Sequence, residues 1–314
     1  MLDKFKREIN YLRVSITDRC NLRCVYCMPK EGLSRIGHED ILRYEEMLRI
    51  VRIARKLGIV KVRVTGGEPL VRRGAVEFLS SLGRMDLEDI SLTTNGILLE
   101  SLADPIRKAG VSRINVSLDS LDPARYARIT RGGDLAAVLR GLEQSEKVGF
   151  SPIKINVVTV RDFNDDEALS FARLTLEKPY EIRFIELMPI GGKSDNADKY
   201  VSNDELMERL GLLGRLLPVE SGKQEKNFRG PARRFRLEGA RGVIGFISPI
   251  SHNFCHACNR LRLTADGYIV PCLHSGLRFN VRENGIEEAF RKAVEFKPEK
   301  GTGTESHEFS NIGG

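Results

Sequence analysis

Tryptophan is missing altogether from the 314 residues, and aromatic residues make up only 7%. Proteins that hold single strands of nucleic acid stack bases on aromatic platforms along a basic groove. Here the basic residues are scattered, and the densest run, Lys223, Lys226, Arg229, Arg233, Arg234 and Arg236, is interrupted by Gly230 and Pro231. It reads as a solvated loop entering a strand, and no nucleic acid partner is expected. Long apolar runs are missing too. Nowhere do eighteen apolar residues follow one another, and the opening MLDKFKREIN has no apolar signal core, so neither a membrane span nor a leader is expected and the compartment reads as cytoplasmic. Nor is any cysteine spare. All six fall in two triplets, Cys20-x3-Cys24-x2-Cys27 and Cys255-x2-Cys258-x13-Cys272. Clustered thiols in a reducing compartment favour metal over disulfides.

Each triplet offers three thiolates where a four-coordinate metal or a four-iron cluster needs four partners. One place per site is open, or filled by something other than cysteine, and that points to chemistry. The formal charge of +7 points to an anionic partner, read here as a small anion.

The chain is long enough to bury a full core, roughly three quarters of its unfolded surface. Its first two thirds alternate β-branched runs with amphipathic stretches, the pattern of a parallel α/β sheet. Strands are expected over Tyr11–Ile16, Val60–Thr65, Asp89–Thr94, Arg113–Leu118, Ile153–Thr159 and Glu181–Leu187. Helices are expected over Asp40–Leu57 with Gly58 as its stop, Gly74–Leu82, Leu98–Lys108, Leu135–Val148 and Asn164–Leu174. Six βα repeats are too few for a closed eightfold barrel and suit an open, partial one. From about Glu220 the pattern changes. A hairpin over Arg233–Leu237 and Val243–Ile247 precedes the second triplet, a short helix lies near Ile286–Ala293, and the charged, glycine-rich Lys297–Gly314 reads as disorder. The expected division is a core over 1–220 and an extension over 221–314.

In such barrels functional residues gather where strands end. Strand one leads into the first triplet, strand two into Thr65-Gly66-Gly67-Glu68-Pro69, strand three into Thr93-Thr94-Asn95-Gly96, strand four into Ser117-Leu118-Asp119 and strand six into Met188-Pro189. Taken singly each is a turn; on one rim with the thiols they read as a site. Arg13, Arg63, Lys154 and Arg183 interrupt apolar strand runs. Outward they would be desolvated under helices, whereas inward they could converge on an anion such as a triphosphate. The plainer alternative pairs each with a carboxylate such as Glu186 or Asp119. The first triplet can wrap three corners of a 4Fe-4S cube, leaving the fourth iron to a chelating small molecule. Beside the second triplet lie His252, His256 and His274, so its spacing leaves a Cys3His zinc site and a second cluster both open.

Cys20-Asn21-Leu22-Arg23-Cys24-Val25-Tyr26-Cys27 resembles the signature of radical S-adenosylmethionine enzymes, and Gly66-Gly67-Glu68-Pro69 their second motif. The resemblance implies a partial (β/α)6 TIM-like barrel, with the C-terminal extension carrying a second iron–sulfur cluster. Ser15-Ile16-Thr17-Asp18-Arg19, Met28-Pro29, Phe254 through Leu263 and the final Gly313-Gly314 resemble more narrowly the molybdenum cofactor biosynthesis protein A family, the GTP 3′,8-cyclases. That likeness implies a lyase with S-adenosylmethionine and two 4Fe-4S clusters. The 5′-deoxyadenosyl radical takes hydrogen from C3′ of GTP, and closure onto C8 gives 3′,8-cyclo-7,8-dihydro-GTP. It implies cluster ligation by Cys20, Cys24, Cys27, Cys255, Cys258 and Cys272, the second cluster facing the guanine. Tyr26, Gly67, Ser117 and Met188 match S-adenosylmethionine contacts. Arg13, Arg63, Thr93, Lys154, Arg260 and Arg262 match GTP contacts, with Arg183 a looser match, and Gly313 and Gly314 match a tail needed for catalysis. Phe309 stands where the family often has methionine, which bears on how that tail is anchored. An external electron donor is implied, and the likeness leaves room for a homodimer and for functional coupling to cyclic pyranopterin monophosphate synthase. The rivals are a radical enzyme modifying peptide or RNA, and a zinc-stabilised binding protein without turnover.

Overall fold

Alternation with a period of two sends the polar members of each strand run to one face and the apolar members to the other. The computed structural model describes residues 1–32, 36–188, 198–219 and 230–301. In chain order the elements are β1 (Tyr11–Ser15), α1 (Tyr44–Lys56), β2 (Lys61–Thr65), α2 (Ala75–Gly83), β3 (Asp89–Thr94), α3 (Leu99–Lys108), β4 (Arg113–Ser117), α4 (Pro123–Thr130), α5 (Leu135–Lys147), β5 (Ile153–Thr159), α6 (Ala168–Glu177) and β6 (Glu181–Glu186). There follow α7 (Asn203–Leu210), β7 (Leu216–Pro218), β8 (Arg233–Leu237), β9 (Val243–Ile247), β10 (Arg260–Leu263), β11 (Tyr268–Val270), β12 (Phe279–Asn280), α8 (Val281–Asn284) and α9 (Ile286–Glu295).

All strands join one twelve-stranded sheet in the order β12-β11-β10-β1-β2-β3-β4-β5-β6-β9-β8-β7. The six expected strands form its centre. Two more, β10 beside β1 and β9 beside β6, continue the parallel run on either side. Antiparallel strands finish both edges, including the expected hairpin of β8 and β9. Among the described residues β9 and β10 do not pair with each other, so the barrel stays open.

Leu12, Val14, Val62, Val64, Leu92, Ile114, Val116, Ile155, Ile182, Ile244, Leu261 and Leu263 form the apolar face and are fully buried under the helices. The opposite face carries Arg13, Arg63, Lys154, Arg183 and Arg262, and its residues line a shared cavity. The sheet therefore curls around a polar interior.

Helix α1 begins at Tyr44 rather than Asp40. The Leu42 amide donates to the Ala265 carbonyl (2.7 Å) and the Leu42 carbonyl accepts from Arg72 (2.8 Å), so tertiary bonds take the groups a longer helix would use. Glu46 instead accepts from the Arg43 amide (2.8 Å), closing the first turn, and Gly58 ends the helix region at φ +100°. Helix α6 likewise starts late, at Ala168, behind a 3-10 turn over Asp165–Glu167. Helices α4 and α7 were not expected. The tail reading needs correction at its start: Lys297 is 2% exposed, because its ammonium donates to the carbonyls of Arg260 (2.8 Å) and Pro271 (2.5 Å). Residues 302–314, with Phe309, Gly313 and Gly314, lie outside the described residues. No described helix is long and apolar enough to cross a membrane.

Candidate active site

The loop after β1 lies against the loop after β2 as if the strands continued. Gly67 donates its amide to the Thr17 carbonyl (2.7 Å), and Glu68 to that of Arg19 (2.8 Å). A Cβ on Gly66 would stand 2.6 Å from the Thr17 carbonyl oxygen, and one on Gly67 would run into the carbonyls of Asp18 and Arg19. Glycine is needed here for close approach. Gly67→Ala should therefore destabilise the protein by about 1–3 kcal/mol, the usual cost of overpacking; thermal melting checks it.

Glu68 then ties three loops together. Its carboxylate accepts from the Leu70 amide (3.0 Å), the Thr94 hydroxyl (2.8 Å) and the Asn95 amide (2.6 Å). Asn95 in turn donates to Asn21 in the cysteine loop (2.7 Å). Burial pushes Glu68 up to about 7, opposed by these bonds. All three partners donate, so the arrangement suits the ionised form. On the loop's far side Tyr26 donates to Asp119 (2.6 Å), which also accepts from the Val158 amide (2.8 Å). Helix α4 supports the loop from outside: Arg23 and Val25 donate to the carbonyls of Thr130 and Ile129, and Arg131 to those of Arg23 and Met28.

Cys20, Cys24 and Cys27 line the cavity, and the Leu22 amide already donates to the Cys20 sulfur (3.3 Å). Three thiols on one short loop with an amide–sulfur bond fit a cluster's donor set. Burial, with Asp119 and Cys27 nearby, pushes the Cys24 thiol well up, so its thiolate needs a metal partner. Among the described residues no three His, Cys, Asp or Glu side chains converge tightly enough to hold a single metal ion.

The second triplet lines the same cavity. Cys255 opens a 3-10 turn whose carbonyl accepts from Arg7 (2.8 Å). Burial pushes Cys258 up, but Arg260 and Lys297 outweigh it and bring the thiol down to about 6.

Nine lysine and arginine side chains line this cavity of about 390 Å³, against three carboxylates, among the described residues. Only Asp89 serves one of these cations, and the other two are committed elsewhere. Asp89 pairs bidentately with Arg113. Asp119 holds Tyr26 and Val158, and Glu186 accepts from the amides of Asn203, Ile250 and Ser251 and the Ser251 hydroxyl. Neither Asp119 nor Glu186 serves the strand cations, which corrects the pairing read from sequence. Glu181 does so instead, bonding Arg183 (2.6 Å) and facing Lys154 (3.4 Å). The Nε of Arg13 is buried with no hydrogen-bond partner among the described residues, a donor awaiting an acceptor. Burial, reinforced by Arg13, Arg183 and Arg113, brings Arg63 down to about 10 against the pull of Tyr11.

Every expected site residue within the described chain lies on this wall: Arg13, Tyr26, Arg63, Gly67, Thr93, Ser117, Lys154, Arg183, Met188, Arg260, Arg262 and all six cysteines. Sequence reasoning missed Tyr11, Lys61, Arg113 and Lys297 on the same wall. Tyr11, Lys61 and Arg113 keep the inward parity of the known cations and were legible from it; Lys297 carried no such signal.

Residues 14–175 match the radical SAM superfamily model, and residues 180–302 match that for Molybdenum Cofactor Synthesis C. The GTP 3′,8-cyclase of Alkaliphilus oremlandii is 47% identical, covering 100% of this chain and 98% of its own. This chain belongs to the GTP 3′,8-cyclase family. A second member of that family, from Moorella thermoacetica, is 48% identical across 95% of this chain and 94% of its own. The fold is that of radical SAM proteins. Streptococcus suis SuiB bound to S-adenosylmethionine aligns with TM-score 0.64 at 16% identity, over 90% of this chain and 65% of SuiB. The enzyme anSMEcpe with bound AdoMet aligns with TM-score 0.60 at 17% identity, over 92% and 81%. Membership of the superfamily implies a 4Fe-4S cluster and S-adenosylmethionine.

Proposed function

We propose that this chain converts GTP and S-adenosylmethionine to 3′,8-cyclo-7,8-dihydro-GTP in the cytoplasm, opening molybdopterin synthesis, with a second 4Fe-4S cluster on Cys255, Cys258 and Cys272. The observation that carries the reading is that both cysteine triplets and the strand cations line one cavity. The cluster on Cys20, Cys24 and Cys27 with S-adenosylmethionine supplies, when bound, the one-electron chemistry that starts the reaction.

The chain's own residues position and shield. Tyr26, Gly67, Ser117 and Met188 receive S-adenosylmethionine. Arg13, Arg63, Thr93, Lys154, Arg183, Arg260 and Arg262 hold the nucleotide and offset its charge, so the reacting atoms meet away from water. No side chain has to act as general base. Gly313 and Gly314, outside the described residues, are needed for catalysis in this reading. A second cluster, rather than Cys3His zinc, is favoured because among the described residues no three His, Cys, Asp or Glu side chains converge tightly enough to hold a single metal ion, and His252 is bonded to Asp204 (2.6 Å) while His256 is exposed. An external donor supplies electrons, and cyclic pyranopterin monophosphate synthase takes the product.

Anaerobic reconstitution tests this. Iron and sulfide should reach two clusters per chain without zinc, and 5′-deoxyadenosine should form in response to GTP but not to peptide or RNA. Zinc at the second triplet, or indifference to GTP, would sink the proposal.

Lys154 gives a pH dependence. Burial, with Arg183 adding to it, lowers its ammonium to about 7, against the pull of Glu181. A bound triphosphate raises it again. Affinity for GTP should thus be greatest below pH 7 and fall as pH rises through and above 7, by up to about tenfold per unit. Lys154→Arg should flatten the slope, as titration calorimetry would show.

A further inference from the structure

Glu181 opens β6, directly in register with Lys154 on β5. Arg183 follows two residues later on the same face, and Gly245 opposite it leaves room for its stem: a Cβ there would stand 3.3 Å from Arg183 Cγ. One carboxylate, 3% exposed, thus meets Arg183 at 2.6 Å, Lys154 at 3.4 Å and Arg234 at 4.0 Å. It differs from Asp89, whose two oxygens are taken up by Arg113 and Ser112 in a closed pair. Glu181 is not on the cavity wall. It meets the wall cations Lys154 and Arg183 from the first position of β6, on the same sheet face.

We propose that Glu181 is a built-in counter-anion that competes with substrate phosphates for Lys154 and Arg183, and so limits how tightly the nucleotide is held. The inference rests on the GTP reading above. In that reaction substrate and product carry the same triphosphate, so every cation that grips one grips the other alike and adds nothing to the chemical step. Asp89 already offsets Arg113 on this wall, and without a further anion Lys154 and Arg183 would add their full charge to a grip that holds product as firmly as substrate. Glu181 keeps Lys154 and Arg183 paired while the site is empty and repels the phosphates that displace it. The two cations then share their charge between carboxylate and phosphate.

The test uses full-length, anaerobically reconstituted protein and titration calorimetry with sodium tripolyphosphate and with GTP, run in the Lys154→Arg background so that loss of the lysine proton near pH 7 does not mask the effect. Glu181→Gln removes the charge and keeps the shape. It should bind both ligands about tenfold or more tightly, since like charges across a desolvated contact cost several kcal/mol, and stopped-flow should show slower GTP release. Glu181→Asp, which draws the carboxylate back by one methylene, should tighten binding less. Unchanged or weaker binding by folded Glu181→Gln overturns the inference. If that variant does not fold, unchanged or weaker binding by Glu181→Asp overturns it instead. Wild-type protein that binds no tripolyphosphate defeats the underlying reading along with it, whereas normal wild-type binding, with the Lys154→Arg protein unmoved by either variant, defeats this inference alone.

Discussion

Arg63→Ala should weaken GTP binding about a hundredfold while iron content stays unchanged. The side chain rises from the middle of β2 and its Nε donates to the Ser91 hydroxyl (3.2 Å). Its guanidinium lies over the Tyr11 ring, 5.6 Å from the centroid. These are neutral partners, and the surrounding Arg13, Arg183 and Arg113 repel it. Of the wall cations, Arg63 therefore has much to gain from an arriving phosphate. Removing one member of a buried charged contact costs roughly 2–5 kcal/mol, and a hundredfold sits low in that range. Anaerobic equilibrium binding gives the answer, and an unchanged Kd would strip Arg63 of its phosphate role. Without ligand, Arg63→Met should melt no lower than wild type, because a repulsive charge has gone.

Arg7→Ala should cost about 3–5 kcal/mol of stability, the usual price of orphaning one half of a buried ion pair. Arg7 bonds Asp3 (2.6 Å) and the carbonyls of Cys255 (2.8 Å), Pro298 (2.8 Å) and Glu299 (3.2 Å). One guanidinium thus joins the start of the chain, the second cysteine loop and the segment after α9. Burial raises the Asp3 carboxyl, but bonds from the Arg7 amide, its side chain and the Phe5 amide prevail and hold it below its ordinary 3.8. A carboxyl lower in the folded state contributes stability above its unfolded value and loses it as pH falls through the folded one. The wild-type advantage over Arg7→Ala should therefore shrink in acid below pH 4. Urea unfolding across pH measures it; a loss under about 1 kcal/mol at pH 7 would contradict the buried clamp.

The central strands were legible because each obeys a strict period of two. Leu12 and Val14 face helices while Arg13 faces the cavity, and the same alternation recurs at Val62, Arg63 and Val64. Charge at inward parity therefore located the wall before any geometry was known. Pairing across the sheet was less legible. Lys154 and Glu181 lie 27 positions apart, and only the parallel register sets them side by side. Glu181 and Arg183 were nonetheless two apart on one face, a signal passed over in favour of Glu186, whose carboxylate is consumed by backbone amides. Helix α4 escaped notice because only Tyr126, Ile129 and Thr130 are buried, too short a stripe to show helical periodicity. Lys297 looked like a solvated tail because its partners are carbonyls, which composition cannot reveal.

The flanking of the sheet by β9 and β10 constrains how the protein is made. As the ribosome releases the chain, β1 and β6 emerge with bare hydrogen-bonding edges. These stay uncovered until residues 243–263 follow. Unpaired edges invite association with other nascent chains. The last parallel strand to emerge, β10, begins two residues after Cys258, so its docking on β1 brings Cys255 and Cys258 to the cavity that the first triplet lines. Assembly of the second thiol set should consequently trail formation of the central strands during biogenesis.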